Sequence, residues 1–285
     1  MYPMNKAAPP AKTKQKKTAQ EILHLADHLF AQAVHAHSFR CVLKQYAKNL
    51  EQYSEEMECS SSFYAIMYHS LATSLTLLLC RIYDENPHSL TINNLLNAMG
   101  DIEADYLHET MLETYNSLGQ KLQHSLKPIE ECLFEKEVEE NKQIHAAIGL
   151  QYRNTTVDLT LSEYIQMYRK RYRQLKKYNA VNNLTVQRNK IIAHNDAGTN
   201  FDSRPILDQY PVSNEDVEML LEFALDCTQF VRQILTGIYT IIDYIDGRDW
   251  RASLELIRIG MKYKDTYIKD EVDAFMRGID NTNCP

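Results

Sequence analysis

Turn-forming residues are scarce along this chain, and that scarcity limits its fold more than any other feature. There are eight glycines and eight prolines in 285 residues, and Pro3, Pro9 and Pro10 fall within the first ten. A sandwich or barrel of short strands needs a turn roughly every 8–12 residues, which this body is not equipped to make. Long helices joined by few loops remain, so an all-α fold is expected. Apolar spacing agrees: Ile22, Leu25, Leu29 and Ala33, then Val42, Leu43, Tyr46 and Leu50, recur at three- and four-residue steps from Ala19 to about Glu58.

Further helices follow the same reading. Ser60-Ser61-Ser62 offers a cap to a helix over about Phe63 to Asp84, so evenly apolar that it reads as the central, most buried one. A short helix is expected over Thr91 to Met99, another over about Ile102 to Ser117, and a third, kinked at Pro128, over about Lys121 to Tyr152. Ser162 caps a helix to about Tyr178, and Asn182-Asn183 breaks the chain into the next one. Asn195 to Val212 reads as a loop. Ser213 with Asp216 has the form of a capping box and launches a helix to about Asp246, stopped by Gly247. Two short helices, about Trp250–Met261 and Lys264–Arg277, close the sequence.

The division expected is a disordered basic tail over 1–18, a helical domain over 19–247 and a C-terminal helical extension over 248–285. The tail is read as solubilising rather than as a nucleic-acid tether. The most apolar run, Leu71 to Ile82, is interrupted by Thr73, Ser74, Thr76 and Arg81 and falls short of the ~20 residues a bilayer needs. No membrane partner is expected. Six scattered cysteines without a C-x-x-C pair form neither a disulfide framework nor a zinc site, which points to a reducing cytoplasm. The net charge of −7 argues against coating nucleic acid non-specifically, though not against a local basic patch.

One such patch runs from Tyr164 to Tyr178, where Arg169, Lys170, Arg171, Arg173, Lys176 and Lys177 occur without an acid. Ile165, Tyr168, Tyr172 and Leu175 form its apolar stripe, and Arg169, Arg173 and Lys176 share a solvent stripe. Arg169, Arg173, Lys176 and Lys177 are candidate RNA contacts, since cations beside aromatic residues suit phosphates and stacked bases; a solvated face, or a partner for the glutamates at 130–140, is the plainer reading. Upstream, Arg81 and Asp84 are charges on an apolar helix and need partners, either each other or a nearby site. His24, His28 and His35 share one face of the first helix, and ordinary surface decoration explains them better than zinc does. No metal and no cofactor are expected.

Arg188-Asn189-Lys190-Ile191-Ile192-Ala193-His194 concentrates the remaining chemistry. Six helical steps turn through roughly 240° and rise about 9 Å, so Arg188 and His194 leave one helix about 120° apart. Convergence requires the long arginine arm, a helix ending at His194, or a second copy of the chain. Structurally, the arginine would pair with an acid and the histidine would cap the helix.

This segment resembles the HEPN superfamily, in which an arginine, a polar residue and, a few residues later, a histidine stand late in a helical domain. Here these are Arg188, Asn189 and His194, with five residues between the first and the last. The run Ser74 to Asp84 ending in Arg81-Ile82-Tyr83-Asp84, followed by Ser89-Leu90, resembles the abortive-infection branch. The resemblance implies a HEPN-like helical bundle with additional C-terminal helices. It also implies a metal-independent endoribonuclease of a toxin or antiphage system, active as a homodimer on RNA and held by an antitoxin or sensor protein. His194 would be general acid–base, Arg188 the phosphate clamp and Asn189 its assistant, with Arg81 and Asp84 in support. Family members silenced by nucleotidylation carry a tyrosine two residues after the histidine; Asp196 stands there, so that control is not implied. The alternative is an inactive helical module that binds a nucleotide, a nucleic acid or a partner.

Overall fold

The computed structural model describes residues 16–125, 156–177, 179–193, 204–240 and 248–282. Ten helices lie among these: α1 Ala19–Asn49, α2 Ser54–Glu58, α3 Ser61–Ile82, α4 Ile92–Ala98, α5 Glu109–Ser117, α6 Leu161–Lys177, α7 Ala180–Gln187, α8 Arg204–Gln209, α9 Asn214–Thr236 and α10 Arg248–Thr282. A π-helical turn, Arg188–Ala193, continues α7. Two four-residue strands, β1 Leu122–Ser125 and β2 Thr156–Leu159, pair antiparallel with Leu122 opposite Leu159. Among the described residues the fold is all-helical apart from this ribbon.

The core forms where α1 lies along both α3 and α9. Thr18 begins α1 with a reciprocal capping box, its hydroxyl accepting from the Glu21 amide while Glu21 accepts from the Thr18 amide. Ile22, Leu25, Leu29 and Ala33 are buried at the expected steps, joined by Leu220, Phe223, Ala224 and Phe230 of α9 and by Tyr164, Tyr168 and Tyr172 of α6. A smaller cluster of Tyr53, Met57, Tyr64 and Leu254 seats α10 on α2 and the start of α3.

Several expectations are corrected. α3 is not the most buried helix: Tyr64, Leu75, Leu79, Cys80 and Ile82 are buried, but Phe63 and Ile66 are 62% and 66% exposed. Among the described helices it alone is long and apolar enough to cross a membrane by length and composition, with a mean hydropathy of 1.4 over its best window. Its apolar character answers to one packed face, against α1, plus an open one. Ser60 precedes it without a side-chain cap bond.

Residues 102–108 are not α-helical, because the amide of His108 bonds the Ile234 carbonyl at 2.9 Å and ties the segment to α9. Leu122 to Ser125 enters the ribbon rather than a helix, and the rest of that expectation, 126–152, lies outside the described residues. Thr160, not Ser162, caps α6, exchanging hydrogen bonds with Glu163. The break before α7 falls at Asn179, whose φ of 58° is left-handed, while Asn182-Asn183 continues the helix. Part of the expected loop forms α8. α9 ends at Gly237, φ 71°, where an added Cβ would stand 2.6 Å from the ring of His108. The final helix is single and continuous. Most of the expected basic tail, residues 1–15, lies outside the described residues.

Candidate functional site

Arg188 is placed by packing at the far end of α3. There Ile82 and Tyr83 are buried; Tyr83 donates to the Leu220 carbonyl at 2.6 Å and stacks on Tyr172 with centroids 6.3 Å apart. Tyr172 in turn stacks on Phe223. These contacts fix the α3 terminus against α6 and α9, and α7 with its π-turn packs on the same terminus.

The π-turn alters the geometry on which convergence depends. Hydrogen bonding from i to i+5 widens the turn by a residue, and such turns concentrate at functional positions. The Arg188 amide is shared between the Leu184 and Thr185 carbonyls, four and three residues back, at the end of α7. The Arg188 Nε donates to Asn189 Oδ1 at 3.0 Å, so the two neighbours form one unit. Both side chains are half-buried. His194 lies outside the described residues.

No carboxylate ion-pairs with Arg188 among the described residues; the amide of Asn189 is its hydrogen-bond partner there. Its charge nevertheless reaches the buried Cys80. Burial pushes that thiol up to about 11, Arg188 pulls in the opposite direction and Asp84 adds to the rise. Arg188, Cys80 and Asp84 therefore share one neighbourhood. Asp84 is held at the end of α3, accepting from the Asn86 amide at 3.3 Å and the Ser89 hydroxyl at 3.4 Å. Arg81 does not pair with it and is exposed. Of the two expected supports, Asp84 alone is carried to the neighbourhood of Arg188.

The basic residues of α6 divide. Arg169 is half-buried and donates through Nε and Nη2 to the Leu96 carbonyl at 3.3 and 3.1 Å, closing the C-terminus of α4. That bond ties it to the scaffold, and the solvent stripe loses one member. Arg173 and Lys177 are exposed. Lys176 pairs with Glu85, next in sequence to Asp84, and lies over the ring of Tyr172, so the exposed end of α6 borders the Arg188 neighbourhood. Arg171 escaped the sequence reading. Its guanidinium lies in the interior, 2.6 Å from Asp226 and over the rings of Tyr168 and Phe223. The signal was present: Arg171 stands three residues after Tyr168 and four before Leu175, within the buried stripe.

Lys190 and Tyr210 were also missed. The ammonium of Lys190 lies 5.3 Å from the centre of the Tyr210 ring, and Gln187 donates to the Tyr210 carbonyl at 2.6 Å. Tyr210 follows α8 and has no sequence link to the π-turn; only folding joins them. His24, His28 and His35 are exposed along α1. Among the described residues no three His, Cys, Asp or Glu side chains gather as metal ligands would.

Comparison with protein families matches the profile described as HEPN_AbiU2, AbiU2, over residues 19–252. No curated protein matches the chain. No solved structure matches it either.

Proposed function

The chain belongs to the HEPN AbiU2 family, an abortive-infection-associated module, and from that premise we propose that it is a metal-independent endoribonuclease of an antiphage or toxin system. One observation carries the reading. Arg188, half-buried and held by neutral Asn189, brings to the end of α3 a positive charge that no carboxylate pairs with among the described residues. Such a charge is available to a phosphate.

The chemistry needs little else. The 2′-hydroxyl of RNA attacks the adjacent phosphorus, a bond to the 5′-oxygen breaks, and a 2′,3′-cyclic phosphate and a 5′-hydroxyl result. A histidine near its reference pKa of about 6.5 exchanges the proton at neutral pH, and we assign that role to His194. A fixed guanidinium holds the phosphoryl oxygens as charge grows on them, and pre-set donors of this kind are worth about 10²–10³ in rate. Asn189 accepts from Nε and leaves the outer guanidinium nitrogens to face the phosphate. Arg173 and Lys177, exposed at the bordering end of α6, attract the strand; Lys176 joins them by releasing Glu85. A second copy of the chain would bring its own Arg188 and His194 to the same strand. An antitoxin or sensor would act by covering this surface, and we place the protein in the cytoplasm.

Incubation of the purified chain with a mixed-sequence single-stranded RNA, in the presence of a chelator, tests this. Cyclic-phosphate ends are expected from the native protein, with losses of at least a hundredfold in Arg188→Ala and in His194→Ala. RNA bound but left intact by the native chain would favour an inactive binding module instead.

A further inference from the structure

Three side chains along one face of α7 and its π-turn reach across to a single stretch of backbone. Asn183, Gln187 and Lys190 follow one another at steps of four and three, the spacing that lines up one face of a helix. Asn183 Nδ2 donates to the Pro211 carbonyl at 2.8 Å, and Gln187 Nε2 donates to the Tyr210 carbonyl at 2.6 Å. The ammonium of Lys190 lies 5.3 Å from the centre of the Tyr210 ring, within reach of a cation–π contact. Arg188 stands between the last two in sequence, and its charge is felt at Cys80 of α3.

Tyr210 is itself anchored from the other side. Its amide donates to the Ile206 carbonyl at 2.9 Å, Ile206 is buried, and Val212 packs against the main core. Ser213 then opens α9. The chain thus leaves the π-turn at Ala193 and, by way of α8, comes back to lie against that same turn. Between these two flanks stands His194, four residues after Lys190. A π-turn is rare, and most are found at functional positions. This one is braced from outside, at Lys190 within it and at Gln187 just before it.

We propose that Asn183, Gln187 and Lys190 clasp the Tyr210–Pro211 stretch so as to position Arg188 and His194 for cleavage. The clasp steadies the π-turn that presents Arg188, and it fixes the return of the chain that carries His194. Resting on the nuclease reading, it adds to that reading residues that position without touching RNA. Its effect falls on kcat rather than on KM, because it sets how the two reacting groups stand to each other and not how the strand is attracted. A displacement of about 1 Å in that relation costs up to about 10²-fold in rate.

Steady-state cleavage of a single-stranded RNA oligonucleotide by the full chain tests the clasp. Tyr210→Ala and Gln187→Ala are each expected to lower kcat about tenfold to a hundredfold with KM unchanged. Lys190→Met should lose rate likewise. Tyr210→Phe keeps the ring and Lys190→Arg keeps a cation over it, so both should cleave as the native chain does. Amide exchange in Tyr210→Ala is expected to quicken across 184–193 and not in α9, which separates an open clasp from an unfolded chain. If α9 quickens too, Lys190→Met against Lys190→Arg decides, and equal rates in these two overturn the clasp. Native kcat in both Tyr210→Ala and Gln187→Ala overturns it as well. So does a raised KM at native kcat in Lys190→Met, which would make the lysine a phosphate contact. A native chain that leaves the RNA intact ends the nuclease reading and the clasp's role with it, whereas a native chain that cleaves no faster than these variants ends the clasp alone.

Discussion

Arg171 and Arg188 make an instructive pair, one in α6 and one in the π-turn after α7. Arg171 is sealed in the interior with its side chain 11% exposed. Burial is the largest single influence and lowers its pKa, but the charge and hydrogen bond of Asp226, with Tyr168 and Cys227, together reverse it, so the net shift is upward. The rings of Tyr168 and Phe223 cover its face. Arg188 is half-buried, and its hydrogen-bond partner among the described residues is the uncharged Asn189. A guanidinium matched by a buried carboxylate is part of the scaffold, whereas one held by an amide keeps its charge unneutralised. Sequence position points to the burial of Arg171, but the neighbour's charge decides which arginine is neutralised.

The comparison breaks most readily at Asp226. Asp226→Ala leaves the Arg171 charge buried and is expected to cost about 3–5 kcal/mol in urea unfolding, whereas Arg171→Met with Asp226→Leu should recover most of that loss. A loss below about 1 kcal/mol in the single variant would remove the contrast. Arg188→Ala should do the reverse, keeping stability within about 1 kcal/mol of native while cleavage falls about 10²–10³-fold. Arg188→Lys should not rescue it, since an ammonium lacks the two-pronged donor geometry. If Arg188→Ala unfolds the protein as Asp226→Ala does, Arg188 belongs to the scaffold too.

A third arginine sharpens the contrast. Arg258 donates to the buried carboxylate of Glu56, and that bond holds Glu56 below the usual glutamate range. A depressed carboxylate contributes stability that is present in full above the ordinary pKa near 4.3 and is lost as pH falls through the lower, folded value. Hydrogen exchange over 248–261 should therefore accelerate as pH drops below about 4, after correction for the intrinsic exchange rate. Equal protection on both sides of that range would mean that Leu254 alone seats the helix. The smallest effect is expected at the end of α6. Arg173→Ala with Lys177→Ala should weaken RNA binding several-fold and reduce the slope of log K against log salt by about 1.4. Arg169→Ala should leave that slope unchanged and lower stability, because its bonds go to Leu96.

Features resting on a few neighbouring residues were legible. The Ser213–Asp216 box starts α9 as read, the short helix expected over Thr91 to Met99 forms as α4, and the stripe Ile165, Tyr168, Tyr172, Leu175 is buried. The misreadings have distinct causes. Apolar residues past Gly237 mimic helical periodicity, so the expected helix ran on to Asp246, yet Gly237 takes a left-handed φ that ends it. Leu122–Ser125 looks helical until Thr156–Leu159 arrives from about thirty residues away to pair with it. Arg169 and Arg173 are one helical turn apart and equivalent on a wheel, but α4 ends its helix beside only one of them.

The sequence by itself determined the helical character of the chain and the Arg188-Asn189 unit, because turn residues, caps and periodicity act over a few bonds. Only the tertiary structure decided which arginine is neutralised and which keeps its charge, that Cys80 and Asp84 share the neighbourhood of Arg188, and that Tyr210 meets Lys190. Those outcomes depend on which groups are brought together from distant parts of the chain, and on how little water remains between them to screen one charge from another.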